Sequence, residues 1–151
     1  MTVEERRKLL ERVATLGYDF RLYTGSDVSK NEKLKSVNKG YINYSTQMPS
    51  VFANSRINLN ITLRSIHTGV PLRVMDILAC GGFVLTNYQE EIVELFEENK
   101  EIVIYRSLDD CIDKINYYLE HEDKRQAIAE AGKRAVLDRF DYKEGLRNLF
   151  E

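Results

Sequence analysis

Residues 56–87, RINLNITLRSIHTGVPLRVMDILACGGFVLTN, carry the pattern that decides the fold. In residues 56–63, Ile57, Leu59, Ile61 and Leu63 alternate with polar side chains, the period-two pattern of a strand. A polar loop over residues 64–71 contains Gly69 and ends at Pro71, a residue suited to the first turn of a helix. The helical stretch that follows carries one acid, Asp76, and closes on Gly81 and Gly82, which read as a C-cap. Residues 82–87, GFVLTN, are a second strand. Strand, helix and strand in that order imply a right-handed crossover and a parallel pair.

The rest of the chain extends this alternation. Thr2 and Glu5 form a capping box, after which Leu9, Leu10, Val13 and Leu16 recur at helical spacing up to Gly17. Residues 18–25 and 40–45 read as strands, and residues 48–55 as a short helix with Pro49 in its first turn. Asn87 with Glu90 is expected to cap a helix carrying Ile92, Val93, Leu95 and Phe96. Residues 101–107 form a fifth strand, and Ser107 caps a helix with Leu108, Ile112, Ile115 and Leu119 on one stripe. A last helix over residues 122–140 carries Ile128, Ala131, Ala135 and Val136. The expected fold is α/β: one Rossmann-like domain over residues 1–151, a doubly wound, mainly parallel sheet covered on both faces. Such a domain normally opens on a strand, whereas this chain opens on a helix cap. The expectation is therefore a piece of a longer two-domain protein whose first strand is absent here. An exposed or swapped sheet edge would then favour a homodimer.

Composition narrows the partners. Hydrophobic residues make up 43% and charged residues 30% of 151, with a net charge of −2, which gives no reason to expect nucleic acid or an anionic membrane. There is no apolar run long enough to span a bilayer and no signal-peptide core near Met1, so a cytoplasmic location is expected. Cys80 and Cys111 sit in apolar helical patterns and read as buried free thiols. His67 and His121 lie far apart, and no metal-ligand spacing, Walker loop or GxGxxG is present.

In an open parallel sheet, ligands bind beyond the carboxyl ends of the strands. The segment from Arg64 to Arg73 is the loop there with the most chemistry, holding Ser65, His67, Thr68, Gly69 and Pro71. Tyr23, Thr24 and Gly25 follow one expected strand, and Tyr44, Ser45 and Thr46 another. A helix starting near Pro71 leaves free N–H groups and the positive end of its dipole for an anion. Gly69 lets a phosphate approach the backbone, and Arg73 adds a planar donor fork. Asp76, three residues on, is placed to accept from ribose hydroxyls. Read locally, Arg73 and Asp76 equally make an exposed i,i+3 ion pair, and His67 a solvated loop residue.

MPSVFANSRINLNITLRSIHTGVPLRVMDILACGGFVLTN (48–87) and YRSLDDCIDKINYYLEHEDKRQAIAEAGKRAV (105–136) resemble the C-terminal donor-binding domain of GT-B glycosyltransferases, in the group-1-like, spore-maturation-type branch. The resemblance spans roughly residues 40 to 140. It implies a transferase moving a sugar from a nucleoside diphosphate sugar, with that donor as substrate and no separate cofactor. It places Asp76 at the ribose, Gly69, Val70, Pro71 and Leu72 at the diphosphate, and Tyr44 and Ser45 beside the nucleobase. Gly25 and Thr68 complete the expected donor-binding set. The family's paired-acid motif has a second acid eight residues before Asp76, where this chain has Thr68. The cations that commonly grip the diphosphate come from the segment after the first strand and are not visible here, that strand being absent, and Arg64 or Arg73 is expected to substitute. His67 and Arg73 are the expected catalytic groups, His67 toward the donor sugar or phosphate. The N-terminal acceptor domain is expected to be missing, leaving this part inactive alone. The alternative is a non-enzymatic Rossmann-like binding or scaffold module, favoured by Thr68 in place of an acid.

Overall fold

The computed structural model describes residues 1–64 and 71–140. Its elements are α1 (Val3–Ala14), α2 (Glu32–Val37), α3 (Met48–Asn54), β1 (Asn58–Asn60), α4 (Leu72–Ala79), β2 (Val84–Asn87), α5 (Glu90–Leu95), β3 (Val103–Tyr105), α6 (Leu108–Glu120) and α7 (Glu122–Arg139). The strands form a parallel sheet in the order β1-β2-β3, with Asn60 opposite Thr86 and Asn87 opposite Tyr105.

Alternation sends successive strand residues to opposite faces. On one side Val84 and Ile104 join Val74, Ile77 and Leu78 of α4, Ile92 of α5 and Val136 of α7. On the other, Leu85, Val103 and Tyr105 meet Leu9 and Val13 of α1, Cys111 and Ile115 of α6 and Ile128 of α7. Both faces are thus covered by helices, the doubly wound arrangement that the alternating pattern predicts.

Caps fix several boundaries as expected. The Thr2–Glu5 box forms with both hydrogen bonds, at 2.7 and 3.1 Å. Ser107 Oγ accepts from the Asp110 N–H at 3.0 Å. Gly81, just beyond α4, has φ +80°, a backbone that favours glycine. At Gly82 an added Cβ would lie 2.7 Å from Asn58 Nδ2, 2.7 Å from Ile77 Cγ2 and 2.8 Å from the Phe52 carbonyl. Gly82→Ala is therefore expected to destabilise by about 1–3 kcal/mol. A thermal melt unchanged from wild type would contradict that close packing.

Two expected strands do not form. Residues 18–25 contribute one parallel bridge, Leu22 to Asn38, in place of a ladder. Residues 40–45 curl into a turn, because Asn43 Oδ1 accepts from the N–H groups of Ser45 and Thr46, each at 3.0 Å. A short polar side chain that bonds its own backbone competes with strand pairing. Asn87, expected as a helix cap, lies in β2 instead, and Gln89 takes the N-cap position of α5 without a side-chain bond. Cys111 is buried as expected, but Cys80 is only half-buried.

Candidate functional site

The carboxyl ends of β1, β2 and β3 open on one rim. There α4 begins at Pro71, and among the described residues no side chain caps its first amides. Leu72 and Arg73 stand exposed in its first turn, at the positive end of the helix dipole. Asp76 follows one turn in, half-buried, because Val74, Met75, Ile77 and Leu78 around it point into the core.

The turn over residues 43–47 delivers Tyr44 to this acid. The Tyr44 hydroxyl donates to Asp76 Oδ2 at 2.5 Å, while its ring meets Phe52 edge-on at 6.1 Å. Burial, then the Asp76 hydrogen bond and charge, push the Tyr44 hydroxyl well above its ordinary range, with Arg73 opposing. Tyr44 therefore stays protonated at any working pH and acts there as a donor. Arg73 is near enough for its charge to be felt at that hydroxyl.

Arg64 lies just past β1, exposed, its N–H donating to the Met1 carbonyl at 2.9 Å. Arg106, just past β3, is committed to Glu98 through two bonds of 2.6 and 3.0 Å and sits over the Tyr88 ring. Ser45 is exposed in the Tyr44 turn. Gly25 is also exposed, with nothing within 4 Å of an added Cβ. Thus Tyr44, Ser45, Pro71, Leu72, Arg73 and Asp76 come together, Arg64 lies on the same rim, and Gly25 is not drawn to them by any contact among the described residues. His67, Thr68, Gly69 and Val70 lie outside the described residues.

Among the described residues no group of three His, Cys, Asp or Glu side chains is placed to hold a metal ion. Burial pushes the Cys111 thiol up to about 12, and burial followed by the Asp76 charge raises Cys80. Neither thiol is set up as a nucleophile, because the thiolate is disfavoured at both.

Behind the rim lies a buried polar network that the sequence reading missed. Asn58, Asn60, Thr62, Thr86 and Asn87 are all at most 8% exposed. Asn60 Nδ2 donates to Thr62 Oγ1 and Thr86 Oγ1 at 3.2 and 3.0 Å, and the Tyr105 hydroxyl donates to the Asn60 carbonyl. The signal was present: alternation puts Asn58, Asn60 and Thr62 on one face, and a doubly covered sheet buries that face.

A family model described as glycosyl transferase-like matches residues 6–151. The chain belongs to this glycosyl transferase-like family. Among solved structures it is similar to TarM, with a TM-score of 0.73 at 19% identity, covering 100% of this chain and 33% of TarM. It is also similar to a glycosyltransferase from Rickettsia africae ESF-5, with a TM-score of 0.64 at 16% identity, covering 100% of this chain and 46% of that one. An uncharacterized protein of Aquifex aeolicus (strain VF5) is 27% identical over 101 residues, 65% of this chain and 25% of that protein. The chain thus spans between a quarter and just under half of the length of these relatives. Its fold is the Rossmann-like half of a GT-B arrangement, as the resemblance implied.

Proposed function

We propose that this glycosyl transferase-like domain binds a nucleoside diphosphate sugar and serves a hexosyltransferase of the spore-maturation-type branch. The observation that carries the reading is the meeting of Tyr44, Arg73 and Asp76 at the start of α4, on the carboxyl side of a parallel sheet. Asp76 accepts from the ribose diol, and Tyr44 and Ser45 border the base. The amides opening α4, with Arg73 and Arg64, bind the diphosphate. As the bond from the sugar to the diphosphate breaks, charge grows on the leaving oxygen, and these fixed dipoles and cations stabilise it. The acceptor hydroxyl that attacks the sugar is held by a second, N-terminal domain. This domain alone then binds donor without turning it over. Its working compartment in this reading is the cytoplasm: no helix among the described residues is long and apolar enough to cross a membrane.

Calorimetric titration of the protein with UDP, GDP and their sugars tests the reading. Saturable binding of one base, weakened by added salt, is the expected result. Heat traces equal to dilution for every nucleotide would remove the donor-site assignment and favour a scaffold role.

A further inference from the structure

The backbone ladder between β1 and β2 ends at the pair Asn60–Thr86. Beyond it, β2 continues the pairing with a side chain. Asn87 Oδ1 accepts from the Thr62 N–H at 2.8 Å, and Asn87 Nδ2 donates to the Thr62 carbonyl at 2.9 Å. The carboxamide thus makes the two bonds that a neighbouring strand's backbone would make, while Asn87's own backbone stays paired with Tyr105. Asn60 secures the Thr62 hydroxyl from the other side. Thr62 is 5% exposed and Asn87 8%, so the clamp is shielded from water. Arg64 comes two residues later, at the point where the chain leaves the sheet for the rim.

We infer that Asn87 is a positioning residue: its clamp on Thr62 fixes the strand exit that presents Arg64 to the diphosphate. The inference rests on the donor-site reading above. A carboxamide is needed because the clamp requires one acceptor and one donor in a plane; aspartate offers no donor, and an apolar residue offers neither. Replacing Asn87 loosens the exit at Thr62 and leaves the Arg64 N–H bond to the Met1 carbonyl to hold it, so the guanidinium carries more of the ordering cost on each binding event.

The test is a double-mutant cycle read by calorimetry with UDP and UMP, or GDP and GMP if guanine is preferred. Arg64→Ala and Asn87→Ala are each expected to weaken diphosphate binding about tenfold, the scale of one charge-assisted hydrogen bond, and to leave monophosphate binding unchanged. The double variant is expected to bind no more weakly than Arg64→Ala alone, since both changes remove one interaction. Losses that multiply to about a hundredfold would overturn the inference. Unchanged diphosphate affinity in Asn87→Ala would also overturn it. Val136→Ala, a core cavity far from the clamp in sequence, is expected to lower the melting temperature without changing the diphosphate-to-monophosphate preference. The same loss of preference in Val136→Ala would mark the effect as general instability and sink the idea. If Asn87→Ala does not fold, Asn87→Asp, which keeps the acceptor for the Thr62 N–H, is read for the same preference. A wild type that binds no nucleotide at all overturns the donor site itself, and the inference with it. That result is distinct from selective loss or retention in the variants.

Discussion

Asp76→Ala is expected to weaken nucleoside diphosphate binding about 10- to 100-fold, with a smaller change in melting temperature. A carboxylate that receives two hydroxyls makes charge-assisted bonds worth about 1.5–3 kcal/mol each, and alanine makes none. Stability changes less because Asp76 lies on the half-exposed side of α4, while its neighbours Met75 and Ile77 carry the packing. The discriminating measurement compares UDP with its 2′-deoxy analogue. Wild type should prefer the ribonucleotide, and Asp76→Ala should bind both alike, because the group that reads the hydroxyl is gone. Tyr44→Phe should fall between the two, since it removes the donor to Asp76 Oδ2 but keeps the ring against Phe52. A 2′-hydroxyl preference that survives in Asp76→Ala would end the ribose role and leave the diphosphate assignment standing.

The crossover from β1 through α4 to β2 was legible because its two apolar periods switch within one short stretch, and turn residues mark each switch. Leu72–Ala79 and Val84–Asn87 fall where the pattern places them. The two upstream strands were misread for a common reason. The aromatic and aliphatic residues of 18–25 and 40–45 suit a strand, but a strand also needs a partner backbone. Leu22 finds one residue to pair with, and Asn43 folds its own neighbours into a turn. Asn87 was misread as a cap because Asn followed three residues later by Glu satisfies the local capping rule. The long-range bond to Thr62 outranks it, and no local pattern contains that bond. In the candidate site, helix spacing placed Arg73 and Asp76 one turn apart at the start of α4, and there they lie. The link from Tyr44 to Asp76 joins residues 32 positions apart and needed the fold.

The second large effect is expected far from the rim, where Glu101 anchors the end of α7. Its side chain is 8% exposed, yet it stays charged because Arg139 makes two bonds to it, at 2.7 and 2.5 Å. The Glu97 N–H adds a third at 3.0 Å, and Arg139 also donates to the Leu95 carbonyl at 3.0 Å. Burial alone would raise the Glu101 carboxyl, but these partners outweigh it and hold the group below its ordinary value of 4.5. Removing the guanidinium leaves a buried carboxylate with one backbone donor. An exposed ion pair is worth under about 1 kcal/mol, and loss of one partner from a buried pair costs about 3–5. Arg139 is half-exposed, so Arg139→Ala is expected to lower the melting temperature by more than the loss of a fully exposed pair would and by less than the loss of a fully buried one. The acid limb tests the cause. A carboxyl with a lowered folded-state pKa contributes its full stability above the unfolded value and loses it as pH falls through the folded one. The gap between wild type and Arg139→Ala should therefore be widest near neutrality and narrow below about pH 4.5, as Glu101 takes up a proton. A gap that stays constant down to the acid transition would mean that Arg139 stabilises α7 by packing and its bond to Leu95, with the charge on Glu101 contributing little.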